Sequence, residues 1–188
     1  INRPRRDPKM EAVWCLRGGY GVMRILAGID YDALSRTPKA IIGYSDVTAL
    51  HAAVQRKCRL VTYHAPTARE AMTDLSRDSL RRAVVEQTYS CGVAPNAREI
   101  NAGAAEGRLV GGNLAVLAAL CGTPFMPDLS DALLIPEDIH EPVYRIHRLP
   151  QQPTPAGAFH GRRATAFAQW GELPAAAGGG GRPVPHVP

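Results

Sequence analysis

Three short apolar runs, set between segments of helical period, constrain what this chain can fold into more than any other feature. Met10–Leu16 runs into Arg17-Gly18-Gly19-Tyr20-Gly21, Lys39–Gly43 runs into Tyr44-Ser45-Asp46, and Arg59–Tyr63 follows close behind. Runs this short, bounded by glycine, read as buried strands. Between them, Val22, Ile25, Leu26 and Ile29 recur at helical spacing, and Val47–Gln55 reads as a second helix. Strand, helix, strand, helix, strand at these intervals implies an α/β fold, a parallel sheet with helices on its faces. Residues 67–87 continue the helical pattern, with Ala68, Ala71, Leu75, Leu80, Val84 and Val85 as inner positions. Three strands make a thin sheet. The chain opens on Ile1 rather than Met, so the expectation is that earlier strands are missing.

The chain divides by character into four segments. Residues 1–87 form the partial α/β unit. Residues 88–106, with Gly92, Pro95, Asn96 and Gly103 and little periodicity, read as a linker. Residues 107–150 start a second unit: Leu109–Val110 leads into Gly111-Gly112-Asn113, then an apolar helix Leu114–Leu120, then a strand Ala132–Ile135 closing on Pro136-Glu137-Asp138. Residues 149–188 hold seven Pro and seven Gly, 14 of 40. That share exceeds the roughly 25–30% typical of low-complexity chain. Disorder is expected for residues 151–188, which look like sequence read in a shifted frame.

A net charge of +5 could suggest a nucleic-acid partner, but its distribution argues against one. Residues 7–148 carry 16 basic and 16 acidic side chains, and the excess sits in Arg3, Arg5, Arg6, Arg162, Arg163 and Arg182 near the two ends. No aromatic residues interleave with a basic stripe, as a stacking surface would require. No stretch reaches the ~18 apolar residues of a membrane span, so neither nucleic acid nor membrane is an expected partner. Cys15, Cys58, Cys91 and Cys121 are widely spaced, with no CxxC pair. They fit reduced thiols rather than a zinc site, which points to the cytoplasm and to no metal or other cofactor.

Three segments could carry chemistry. Gly43-Tyr44-Ser45-Asp46 places a serine between a strand and a helix, where a tight turn exposes the hydroxyl and the helix start offers backbone N–H groups to an oxyanion. The same spacing also suits Ser45 or Asp46 as a plain helix cap. The glycines after the first strand allow close backbone approach to a substrate oxygen, or simply make a turn; neither GxGxxG nor a P-loop is present. Glu137-Asp138-Ile139-His140-Glu141 puts carboxylates at a strand end, where α/β proteins build sites, or forms a charged loop.

Taken in order, "WCLRGGYG", "IIGYSDVTALH", "YHAP", "GGNLAVLAALCGTPF" and "EDIHEPVYRIHR" resemble the LD-carboxypeptidases, a family that includes the microcin-immunity peptidases. The resemblance spans about residues 7–148. It implies an amidotransferase-like parallel-sheet N-terminal domain carrying the serine and a smaller, mainly β C-terminal domain carrying Glu and His. It further implies Ser45 as nucleophile and Glu137 as the acid that orients the histidine. The backbone N–H groups of Asp46 and Gly19 become the oxyanion donors, with Gly18 and Asn113 on the substrate side. The reaction implied is cleavage of the amide between an L- and a D-amino acid in murein tetrapeptides, by a homodimer in the intact family member.

The sequence departs from the family pattern at Ala65 in "YHAP", where Gly is usual, at His140 in place of Gly, and at His147 in place of Asp. Leu149-Pro150 interrupts a helix that should continue. The family's triad histidine should follow well downstream in a glycine-His segment. His51 sits within a helix, His64 belongs to "YHAP", and His140 and His147 lie too near Glu137; of His160 and His186, only His160 in Phe159-His160-Gly161 echoes that segment. A serine without its base is a weak nucleophile, so impaired hydrolysis is expected. The alternatives are a non-catalytic module that binds cell-wall peptide and a non-peptidase α/β protein in which Ser45 only caps a helix.

Overall fold

A computed structural model describes residues 7, 9–88, 97–139, 163–166, 168, 170 and 171. The first sheet is parallel, in the order β1 (Ala12–Trp14), β2 (Ala40–Gly43), β3 (Tyr63–His64), with Gly43 opposite His64 at the ends of their strands. The second sheet is also parallel. Here β4 (Arg108–Asn113) lies beside β5 (Ala132–Ile139), and β6 (Ala164–Thr165) and β7 (Trp170–Gly171) both pair with β5. Two strands therefore fall within the Pro- and Gly-rich segment expected to lack regular structure. That expectation used composition, whereas a two-residue strand needs only an open ladder beside it.

Helix α1 (Tyr31–Arg36) starts where the Asp30 side chain accepts from the Ala33 N–H, and Asp32 in its first turn favours the same end. The segment read as a helix over Val22–Ile29 is a 3-10 helix, Val22–Gly28. Helix α2 (Thr48–Cys58) runs three residues past the expected Gln55; Arg56 and Lys57 suit its carbonyl end, and Arg59 closes it at φ 55. That extension consumes the start of the third expected strand, leaving Tyr63–His64. Thr73 caps helix α3 (Asp74–Arg81), so the pattern over 67–87 becomes helical only from residue 74, ending in a π turn, Arg82–Glu86.

From Thr48 to Val54 every residue of α2 is buried. This follows from its position, packed against the first sheet and α1 on one side and against β4 and α4 (Leu114–Ala119) on the other. A single core joins Leu34, Ile41, Val47, Leu50 and Val54 of the first unit to Val110, Leu114, Leu117 and Leu134 of the second. Both units thus share one hydrophobic interior.

Strand β5 continues through Pro136, beyond its expected end at Ile135. Proline weakens a central strand because it lacks a donor. Pro136 O accepts from Ala168 N at 3.1 Å, so the N–H it lacks would have faced the same side, in the interval between β6 and β7. Among the described residues, no helix is long and apolar enough to cross a membrane.

Candidate active site

Ser45 sits where β2 gives way to a 3-10 turn, Ser45–Val47, that leads directly into α2. Its φ is 61, in the left-handed region, where a residue with a Cβ is strained by about 1–2 kcal/mol. Such a conformation persists only where the surroundings over-determine it. They do so here. Val47 N donates to Tyr44 O at 3.2 Å, and the buried Asp46 carboxylate accepts from Val22 N at 2.9 Å, fastening the glycine-rich turn to the serine turn.

Gly18 lies against the serine. A Cβ at position 18 would lie 3.1 Å from both Ser45 Cβ and Oγ and 3.8 Å from Asp46 N. The first glycine turn and the serine turn are therefore in contact, and glycine is what allows it. Gly19 adopts φ 146, so the backbone here follows a path closed to most side chains. Gly18, Ser45 and Asp46 are thus brought together at the C-terminal ends of β1 and β2, with Gly19 next in the same turn.

Glu137 arrives from the second unit. Along β5 the burial alternates, placing Pro136 and Asp138 on the inner face and Glu137 on the other. Glu137 is directed toward the first sheet, where its Oε1 lies 3.9 Å from His64 Nε2. That distance is too long for a hydrogen bond, and Oε1 is buried without a partner. Burial, with the Asp138 charge adding to it, pushes the Glu137 carboxyl from 4.5 up to about 7. Burial and then the neighbouring His51 push His64 down to about 4, although 38% of its side chain is open to solvent. Near neutral pH this pair holds a carboxyl ready to give or take a proton beside a neutral imidazole. The Tyr44 ring meets His64 edge-on at 6.1 Å, and Tyr44 Oη donates to Glu70 at 2.7 Å, which raises the phenol to about 12.

Asn113, expected on the substrate side, is held by three hydrogen bonds within the fold. Its Oδ1 accepts from Val116 N as the cap of α4, its Nδ2 donates to Asp138, and its backbone N donates to Thr48 Oγ1, at 3.0, 2.9 and 3.0 Å. Both ends of its side chain are engaged within the fold, and it fastens β4 to β5. Gly112 has φ 116, and a Cβ there would fall 2.5 Å from Thr48 Oγ1, so the Gly-Gly-Asn segment brings the second unit against α2.

Sequence reasoning missed Asp138 as a fastener. Its carboxylate accepts from Asn113 Nδ2, Ala115 N and Ile139 N. No sequence signal pointed to it, since the Asn113–Asp138 contact depends on the parallel pairing of β4 with β5. The proximity of His64 to Glu137 had no sequence signal, since it depends on how the two sheets meet. His140, His147, His160 and His186 lie outside the described residues. Among the described residues, no cluster of three or more His, Cys, Asp or Glu could hold a metal ion.

Residues 1–65 match the family model for the LD-carboxypeptidase N-terminal domain, and residues 106–182 match that for the LD-carboxypeptidase C-terminal domain. The second match runs well into the Pro- and Gly-rich segment. The chain is 41% identical over 157 residues to the probable murein peptide carboxypeptidase of Bacillus subtilis (strain 168), covering 78% of this chain and 48% of that protein. It is 35% identical over 157 residues to the murein tetrapeptide carboxypeptidase of Pseudomonas aeruginosa, covering 75% and 50%. Among solved structures, the muramoyltetrapeptide carboxypeptidase from Oxalobacter formigenes superposes with a TM-score of 0.78 at 28% identity, over 90% of this chain and 60% of that one. The chain spans about half the length of the curated relatives it matches.

Proposed function

The chain belongs to the LD-carboxypeptidase family, and from that premise we propose that it cleaves the amide between an L- and a D-amino acid in murein tetrapeptides, with Ser45 as the nucleophile. The observation that carries this reading is the left-handed Ser45 turn packed against Gly18, with a buried, partnerless Glu137 oxygen on the side of the adjoining strand end. Attack by Ser45 Oγ on the carbonyl carbon would produce an oxyanion. The backbone N–H groups of Asp46, in the first turn after the serine, and of Gly19 are the donors suited to it. Glu137 orients an imidazole that takes the serine proton and returns it to the leaving amine.

That imidazole is the unfilled role. His51 Nε2 is committed to Gly43 O, His64 belongs to the "YHAP" motif, and His160 only echoes the family's glycine-His segment, so slow hydrolysis without a resident base is expected. We place the reaction in the cytoplasm, on the grounds of the unpaired thiols of Cys15, Cys58 and Cys121. The dimer expected of an intact member, with no nucleic-acid or membrane partner, belongs to the same reading.

The test is to incubate the purified chain with a murein tetrapeptide and follow release of the terminal D-alanine, alongside Ser45→Ala and His160→Ala. Loss of a triad member typically costs ~10⁴–10⁶ in rate. Slow turnover that vanishes in Ser45→Ala and is unchanged in His160→Ala is expected. Saturable peptide binding with equal turnover in Ser45→Ala would overturn the reading in favour of a binding module.

A further inference from the structure

His51 lies in α2, a helix turn and a half after Ser45, and is 7% exposed. Its Nε2 is 2.9 Å from Gly43 O, the last carbonyl of β2 before the serine turn. A carbonyl oxygen only accepts, so Nε2 carries the proton and Nδ1 carries a bare lone pair. That lone pair is buried without a partner. An orphaned buried acceptor destabilises the fold, and a leucine would fill the same space without that cost. What the histidine adds is therefore the bond at its other nitrogen.

Gly43 O is held from two directions, by His51 and by Ala65 N at 3.1 Å. The two bonds fix the plane of the peptide between residues 43 and 44. Tyr44 follows in extended backbone and Ser45 then turns to φ 61. A strained residue two positions beyond a freely rotating peptide would relax, whereas beyond a pinned one it cannot. Helix α2 thus reaches back across its own start to hold the strand end from which the turn departs.

We infer that His51 is a positioning residue of the Ser45 turn, acting through its hydrogen bond to Gly43 O. The inference rests on the reading of Ser45 as the nucleophile for its effect on activity, but not for its effect on backbone geometry.

The test compares His51→Leu, which keeps volume and removes the donor, with His51→Gln, whose amide nitrogen reaches about the place of Nε2. In the full chain, two readouts are taken: the backbone amide NMR signals of Tyr44, Ser45 and Asp46, and the rate of Ser45 labelling by a fluorophosphonate. His51→Leu is expected to displace those amide signals and slow labelling about tenfold, the change that follows when one hydrogen bond of ordinary net strength is lost. His51→Gln is expected to restore both. Amide signals at their wild-type positions in His51→Leu, or equal displacement in the two variants, would overturn the inference. Should the wild-type chain resist labelling altogether, as a serine without its base would, the amide signals alone decide the role of His51. If His51→Leu does not fold, His51→Asn replaces it. Its amide sits near the Nδ1 position and is expected not to restore the turn.

Discussion

Replacing Glu137 by glutamine should make the protein more stable at alkaline pH while removing the acid from the site. The side chain is 15% exposed and its carboxyl is raised from 4.5 to about 7 by burial, with Asp138 contributing. Ionising it in the folded state therefore costs about 3 kcal/mol, at roughly 1.36 kcal/mol per pH unit. The sign follows from which state binds the proton more tightly. A group raised on folding contributes stability that is complete below pH 4.5 and is lost as pH rises to about 7. Most of the change, about 2–3 kcal/mol, develops between pH 5 and pH 8. His64 titrates in the opposite sense: its contribution is present above 6.5 and lost as pH falls toward 4. It is present in both proteins, so it cancels in their difference. The assay is urea unfolding followed by circular dichroism at pH 5, 6, 7 and 8 for wild type and Glu137→Gln. The variant's advantage should grow steadily across that range. A difference that stays constant with pH would show that Glu137 ionises freely in the folded protein and that its burial does not control it.

Three further outcomes follow from the same geometry. Ser45→Gly should be more stable than Ser45→Ala by about 0.5–1 kcal/mol, because only glycine relieves the left-handed backbone; paired thermal melts measure this, and equal stabilities would contradict the strain at φ 61. Gly18→Ala places a methyl 3.1 Å from Ser45 Oγ, so fluorophosphonate labelling of Ser45 should fall by about tenfold while stability changes by less than ~1 kcal/mol. Asp138→Ala leaves three N–H donors without their acceptor and should destabilise the protein by about 2–4 kcal/mol in urea unfolding; a loss under 0.5 kcal/mol would remove Asp138 as the fastener of the second unit.

What the sequence determined by itself is local and sequential. Ile41 and Ile42 closing on Gly43 specify a buried strand, and the serine turn after it followed from the change of period at Val47. The Asp30 cap is equally local, its side chain one position before the six-residue helix α1. Family motifs carried Ser45 and Glu137 without any knowledge of their distance. Only the tertiary structure decided which of those residues meet. Asn113 points into a network with Asp138 and Thr48, and His64 lies beside Glu137, because α2 is packed between two sheets whose approach no local pattern encodes. Residue spacing along a strand or helix is fixed by backbone geometry, so it can be read from the order of side chains. The approach of two sheets is set by how their buried faces fill space together, so partners such as Gly112 and Thr48, or Gly18 and Ser45, emerge only once the core is packed.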